Sequence, residues 1–162
     1  MTLEYENAWA KYQSRLKILQ TPLICWEFIK TYYSDSFLVN EIQKTWSSKI
    51  DFNNVTKDQK REIIVTDKNF KIIFATDTIV NMNGYNANEI IGKSPSFFQG
   101  LETCVKTKMS IKKALQNCAP FKEVILNYKK NGESYWCDIE AYPKFDNQGN
   151  FVNYIAFEKL AS

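Results

Sequence analysis

Apolar side chains in the first part of the chain recur at helical spacing. Between residues 1 and 20 they return every three or four positions, and residues 23–33 form a second apolar run after a Thr-Pro break. A residue before proline disfavours the helical region, so the break separates two predicted helices. Ser34 then begins a third predicted helix, and residues 51–61 are polar enough to indicate a linker or a frayed helix. The pattern predicts an N-terminal helical extension over residues 1–60, which we interpret as a structural lid. The alternative is a helical cap that takes part in signalling.

From Glu62 onward the apolar spacing changes to that of strands. A β-branched run at 63–67 and an apolar run at 70–75 flank a turn, which predicts a hairpin. Short helical segments and one longer helix, predicted from Thr103 to Cys118, come next. The three later predicted strands cover residues 121–130, 133–142 and 150–160. Asn-Gly and Gln-Gly turns, which favour hairpins, connect these three strands. Two strands, helices and three more strands indicate an α+β domain over residues 61–162.

Between the two groups of strands lies a segment in which three glycines, at the two ends and in the middle, bound short turns. Residues 84–100 read Gly-Tyr-Asn-Ala-Asn-Glu-Ile-Ile-Gly-Lys-Ser-Pro-Ser-Phe-Phe-Gln-Gly. A polar capping box beginning at Asn86 predicts one helical turn, and Pro95 suits the first position of another. We expect Phe97 and Phe98 to point inward. Short helices of this kind allow a chain to wrap closely around a small cavity.

This segment resembles the centre of a PAS domain, and within that family it is similar to the flavin-binding, blue-light-sensing LOV branch. The branch carries Gly-Arg-Asn-Cys-Arg-Phe-Leu-Gln-Gly where this chain has residues 92–100. The glycines, Phe97 and Gln99 match. Pro95 stands where the branch has its photoreactive cysteine, and the flanking asparagine and arginine are both serine here. The resemblance covers about residues 61–160 and implies a PAS-like five-stranded antiparallel sheet with helices on one face.

The same resemblance nominates five candidate cofactor-binding residues. Gln99 and Asn127 keep the residue types of the branch, whereas Cys137 and Glu158 replace an asparagine and a glutamine. Lys112 stands where the branch offers an arginine to the flavin phosphate, and a single lysine is a weaker phosphate partner. A carboxylate facing the polar edge of a flavin would have to be protonated or stay uncompensated. The alternative interpretation is that Asn127 binds loop backbone and that Cys137 fills the core.

The predicted cavity has apolar walls and few polar groups. Its expected apolar wall residues are Phe97, Phe98, Ile111, Leu115, Ile125 and Ile139. We expect the two phenylalanines to crowd the entrance and to leave the cavity filled or shrunken. In the alternative, an open cavity holds Glu158 as its one ionisable group. Burial would then raise the pKa of Glu158 and favour a ligand that offers a donor or a cation over an anion such as FMN.

Side-chain alternation also predicts an apolar outer face of the sheet. The large apolar residues expected there are Val124, Leu126, Tyr128, Trp136, Ile155 and Phe157. Six such side chains are more than a monomer normally leaves in water. We expect the N-terminal helices, through Trp26, Phe28 and Trp46, or a second subunit, to cover this face.

Composition excludes several classes of protein. The chain has no histidine, which excludes His-based catalytic triads and haem held by histidine. Its 21 basic and 18 acidic residues are interspersed, which disfavours a nucleic-acid partner. Four cysteines lie far apart without a Cys-x-x-Cys pair, so no metal site is predicted. No apolar window could span a membrane and the first residues do not resemble a signal peptide, which predicts a cytoplasmic protein without a membrane partner.

These observations predict a non-enzymatic PAS sensor or adaptor module in signal transduction. It would relay a signal through protein–protein contacts to a separate signalling protein or effector, with room for a small ligand but no assigned cofactor. A homodimer through the outer sheet face would fit the same prediction. The alternative is a cysteine-less flavoprotein that binds FMN or FAD non-covalently and acts as a photo- or redox sensor. An enzyme is not predicted, because the sequence offers no nucleophile–base pair and no metal ligand set.

Overall fold

The computed structural model describes residues 34–161, and a short helix opens this part of the chain. Helix α1 spans Asp35–Ile42, and the Ser34 side chain caps it by accepting a hydrogen bond from the Phe37 amide at 3.3 Å. A 3₁₀ turn at Gln43–Thr45 and a π-helical turn at Asn54–Asp58 follow. The predicted helix starting at Ser34 is confirmed, whereas the two earlier predicted helices lie outside the described residues.

Five strands form one antiparallel sheet. They are β1 Glu62–Thr66, β2 Ile72–Ala75, β3 Phe121–Tyr128, β4 Ser134–Phe145 and β5 Phe151–Leu160. Their spatial order is β2-β1-β5-β4-β3, which confirms the predicted five-stranded sheet. The last strand in sequence is therefore the central strand in space, and Glu158 lies opposite Glu62 on β1 and Ile139 on β4.

The segment between β2 and β3 supplies the helices of the inner face. They are α2 Ile79–Asn83, α3 Ala87–Ile90, a 3₁₀ helix at Pro95–Phe98 and α4 Val105–Gln116. The capping box of Asn86 and Glu89 is present at the start of α3, as predicted. Thr103 does not cap α4, because its hydroxyl donates to the Leu126 carbonyl of β3 at 2.8 Å and accepts from the Gly100 amide at 2.9 Å. Thr103 instead fastens the loop before α4 to the sheet.

The segment preceding β1 covers part of the outer face. Trp46 is only 3% exposed, and its indole Nε1 donates to Asn153 Oδ1 on β5 at 2.8 Å. The Ser47 amide donates to the Phe145 carbonyl at 2.9 Å, which fixes the same segment to the end of β4. Beneath this cover Ile155 is fully buried. The predicted covering role of Trp46 is confirmed, and Trp26 and Phe28 lie outside the described residues.

The rest of the outer face remains uncovered by the described residues. Its exposed large apolar side chains are Val124, Trp136 and Tyr142. Next to them Arg61 is buried, and its guanidinium contacts Asp138 at 3.2 Å and Glu140 at 3.1 Å. This ion-pair group links the start of β1 to β4 across the central strand. The outer face thus has a covered part and an apolar part beside a charged cluster.

Two tryptophans on the outer face provide a matched test of this packing. We expect Trp46→Ala to lower the free energy of unfolding by about 3–5 kcal/mol, the usual cost of emptying a buried tryptophan site. Trp136 is 54% exposed, so Trp136→Ala should cost less than about 1 kcal/mol. Urea unfolding of both variants measures the difference. Equal losses would show that the segment before β1 does not shield the sheet.

Candidate functional site

The glycine-bounded segment is held against the β2 edge of the sheet. The Gly92 amide donates to the Ile72 carbonyl at 2.7 Å, and the Ile72 amide donates to the Lys93 carbonyl at 2.9 Å. At the end of the segment, a Cβ added to Gly100 would lie 2.4 Å from a ring carbon of Tyr128. Only glycine fits there, because the ring lies directly on the backbone. These contacts place the 3₁₀ helix at the rim of a cavity.

The two phenylalanines of the 3₁₀ helix point in different directions. Phe98 is 2% exposed and packs into the core, as predicted, whereas Phe97 is 40% exposed. The Phe97 ring meets Tyr85 edge-on at a centroid distance of 5.2 Å and lies 3.8 Å from the Lys93 ammonium. The prediction that both point inward is wrong for Phe97, since successive residues of a 3₁₀ helix lie a third of a turn apart. The outward rotation of Phe97 leaves space inside.

A cavity of about 320 Å³ lies between α4, the 3₁₀ helix and the inner face of the sheet. Five of the six expected apolar residues line it: Phe98, Ile111, Leu115, Ile125 and Ile139. The expectation was a filled or shrunken cavity. The cavity is not filled, because Ala141 and Ala156 provide small side chains on the sheet. Its volume lies at the lower end of the range for ligand pockets.

Four of the five candidate site residues line this cavity together: Gln99, Lys112, Asn127 and Glu158. Cys137 does not line it. The Cys137 side chain is fully buried in the core, and its thiol donates to Glu158 Oε2 at 3.6 Å. Burial raises the pKa of that thiol, which stays protonated at neutral pH. Cys137 therefore contacts the site only through Glu158.

The Glu158 carboxyl is the most deeply buried acid of the cavity. Burial raises its pKa from an ordinary value of 4.5 to about 7, with the Cys137 thiol lowering it and the nearby Glu62 raising it further. Glu62 itself accepts hydrogen bonds from the hydroxyls of Thr76 and Thr78. Near neutral pH the Glu158 carboxyl can therefore be either a hydrogen-bond donor or a charged acceptor.

Other polar residues line the cavity without having been predicted from sequence. Lys108 lies one helical turn before Lys112, so Glu158 is not the one ionisable group of the cavity. Tyr154 lines it as well, and its hydroxyl donates to the Ala114 and Ala119 carbonyls at 3.2 and 2.8 Å. Both could have been predicted from spacing. Lys108 lies four residues before Lys112 on the same helix, and Tyr154 lies an even number of residues before Glu158 on the same strand, so each pair shares a face.

One cavity-lining hydroxyl has no hydrogen-bond partner among the described residues. Thr66 is buried at the end of β1, and its Oγ1 atom is unsatisfied. A buried polar atom without a partner is costly, so this oxygen is an unmet hydrogen-bond acceptor and donor at the cavity wall. By contrast, no group of acidic residues and cysteines within residues 34–161 could hold a metal ion. Over the same residues no helix is long and apolar enough to cross a membrane.

Comparison with protein families identifies the domain that surrounds this cavity. The profile of the PAS domain matches residues 61–159. The chain belongs to the PAS domain family. The match begins at Arg61 and includes all five strands and the helices of the inner face. PAS domains of this kind are sensor modules in signalling and are typically not enzymes themselves.

The relatives of this PAS domain include LOV-type light sensors and an ion channel. Phototropin-1A of Oryza sativa subsp. japonica is 28% identical over 129 residues, which cover 78% of this chain and 14% of the phototropin. The voltage-gated delayed rectifier potassium channel KCNH8 of Homo sapiens is 33% identical over 91 residues, covering 55% of this chain and 8% of the channel. The chain thus spans a small part of the curated relatives it matches.

A solved structure is similar over most of the same region. It is described as "Flavin Analogue Sheds Light on Light-Oxygen-Voltage Domain Mechanism", is 26% identical and has a TM-score of 0.62. The similarity covers 66% of this chain and 82% of the other. This PAS domain therefore has LOV-type structural neighbours as well as LOV-type sequence relatives.

The raised pKa of Glu158 predicts a specific pH dependence of stability. Between pH 4.5 and about 7 the folded protein retains a proton on Glu158 that the unfolded chain releases. The free energy of unfolding therefore has its full contribution from this group below pH 4.5 and decreases as the pH rises towards 7. We expect a loss of about 3 kcal/mol in the free energy of unfolding from this group. Glu158→Gln should remove the loss, because glutamine does not titrate.

The measurement is urea unfolding of the wild type and of Glu158→Gln at about pH 5 and pH 8, below and above the raised pKa. Glu133→Gln is a suitable control, because Glu133 is an exposed acid in the β3–β4 turn. A wild-type pH dependence that persists in Glu158→Gln would contradict the assignment.

Proposed function

We propose that this PAS domain is a non-enzymatic sensor that holds a small ligand non-covalently and relays its presence through protein–protein contacts. The cavity of about 320 Å³, with an apolar wall and a few convergent polar side chains, is the observation that carries this proposal. Such a balance is typical of small-molecule sites. The separate signalling protein or effector that receives the signal would contact the exposed part of the outer face.

The polar groups of the cavity favour a ligand with a hydrogen-bond donor at one place and room for a negative charge at another. The Glu158 carboxyl, with a pKa of about 7, accepts from a donor when ionised and disfavours an anion beside it. The amide of Asn127 and the free hydroxyl of Thr66 supply further partners. Lys108 and Lys112 on α4 would accept a negatively charged group.

Strand β5 supports a route from the cavity to the outer face. Ala156 and Glu158 line the cavity, while Ile155 and Phe157, their neighbours in sequence, belong to the opposite face. A ligand that displaces β5 would therefore move residues of both faces together. Trp136, exposed on β4, would bring such a change to an effector or to a second copy of the domain.

A cavity-filling variant tests the ligand. We expect native mass spectrometry of the wild-type chain, purified from the cells that express it, to show a bound small molecule. Ala156→Leu places added volume in the cavity and should reduce the bound fraction at least tenfold, about 1.4 kcal/mol. Ala161→Leu makes the same change after the end of β5 and should leave the bound fraction unchanged. A wild type without any bound molecule, or equal loss in both variants, would count against the ligand.

A flavin is the second candidate ligand. The favouring observation is that Gln99, Asn127 and Lys112, which correspond to flavin contacts in the LOV branch, line one cavity. Against it stand the buried acid Glu158 and the lysine in place of an arginine. In this second reading the protein would be a cysteine-less photo- or redox sensor with non-covalently bound FMN or FAD.

The flavin candidate leads to a photochemical prediction. No cysteine lines the cavity among the described residues, and Pro95 lines it at the place of the photoreactive cysteine in the LOV branch. Illumination of the chain with excess FMN should therefore give no reversible loss of flavin absorbance with the spectrum of a thiol adduct. Pro95→Cys introduces a thiol there and should gain such a loss if FMN binds. An FMN titration in the dark separates failure to bind from failure to react, and a reversible thiol adduct in the wild type would contradict the prediction.

A further inference from the structure

Helix α4 has an exposed face that the cavity does not use. None of its residues is fully buried, although Ile111 and Leu115 face the cavity. Val105 and Met109, four residues apart, lie on the same side of the helix and are 65% and 67% exposed. Leu101, in the turn just before α4, is completely exposed. We call these three residues the apolar ridge.

Lysines flank the apolar ridge on both sides. On a helical projection Lys112 lies on one side of Met109, and Lys106 and Lys113 lie on the other. All three are exposed, none makes an ion pair with another described residue, and α4 contains no acidic residue.

Two acids near the helix are already engaged by the domain. Glu102 accepts a hydrogen bond from the Tyr128 hydroxyl at 3.2 Å. Glu123 on β3 accepts one from the Ser110 hydroxyl at 2.6 Å. The exposed side of α4 therefore combines apolar side chains with uncompensated positive charge.

We propose that the apolar ridge and its flanking lysines bind the surface of a lipid bilayer that contains anionic phospholipid. The ridge would enter the headgroup region with Lys106 and Lys113 beside lipid phosphates. Lys112, which also lines the cavity, would lie at the edge of this contact. An amphipathic helix with a basic polar part and apolar residues is typical of interfacial membrane contact. Each lysine near an anionic surface strengthens binding about fivefold, and less at high salt.

The shape of the surface favours a bilayer over a protein or a nucleic acid. A rigid protein partner binds apolar anchors in a preformed pocket, whereas a bilayer surface accepts projecting side chains without one. A nucleic acid would contact the lysines but give the ridge no apolar surroundings. From the sequence we expected no membrane partner, because no apolar window could span a bilayer. Peripheral binding to a bilayer surface does not require such a segment.

Vesicle sedimentation of the full chain tests the proposal. We expect the protein to sediment with phosphatidylcholine vesicles containing about one-third phosphatidylserine, to remain in solution with pure phosphatidylcholine, and to dissociate at about 0.5 M salt. Lys106→Gln with Lys113→Gln should lower the partition coefficient at least tenfold. Lys68→Gln with Lys71→Gln removes the same charge from exposed lysines of the β1–β2 hairpin and should change it less than twofold.

A second variant separates a bilayer from a soluble polyanion. Val105→Ser with Met109→Ser keeps every charge and should lower vesicle binding about tenfold, since the ridge supplies the apolar contact. Its retention on a heparin column should match the wild type. Circular dichroism confirms that each variant is folded. No sedimentation with anionic vesicles, or vesicle binding that is indifferent to this apolar change, would overturn the proposal and favour a soluble acidic partner.

Discussion

Side-chain alternation along the central strand β5 is the constraint on which the two faces of the sheet depend. Ala156 and Glu158 face the cavity, while Ile155 and Phe157 belong to the outer face. A shift of one residue in the pairing of β5 would exchange these sets, placing a carboxyl on the outer face and isoleucine in the cavity. The hydrogen bond from Trp46 to Asn153 helps to prevent such a shift, because it fixes one outer position of β5. The pairing register of β5 therefore decides which side chains line the cavity and which lie on the outer face.

Burial of charge distinguishes the two faces chemically. On the inner side the Cys137 thiol, at 3.6 Å, is the side-chain hydrogen-bond partner of the Glu158 carboxyl within residues 34–161. Desolvation therefore dominates, and the proton is retained towards neutrality. On the outer side Arg61 contacts both Asp138 and Glu140, and the acids there are compensated by cations. The ion pairs of Arg61 join β1 to β4. The protonation of the poorly compensated Glu158 carboxyl, by contrast, would change if a charged group entered the cavity.

Local sequence signals predicted the elements well, because a capping box at Asn86 or an Asn-Gly turn depends on few neighbours. The placement of single side chains was harder. Phe97 turned outward because the geometry of the 3₁₀ helix allows one of two adjacent rings to enter the core. Cys137 packed behind Glu158 instead of beside the cavity. The remaining volume depends on the sum of many packing contacts, including two alanines, which no short pattern encodes.

Helix α4 is attached to the rest of the domain at a few polar points. Thr103 binds β3 just before the helix, Ser110 binds Glu123 at its middle, and Tyr154 binds the Ala114 carbonyl near its end. The Ser110–Glu123 bond is exposed, so water can replace it at small net cost, while the sheet opposite is continuous. The cavity thus has one rigid wall and one compliant wall. A small outward displacement of α4 would enlarge the cavity at the cost of these hydrogen bonds and of the packing of Ile111, with no strand pairing broken.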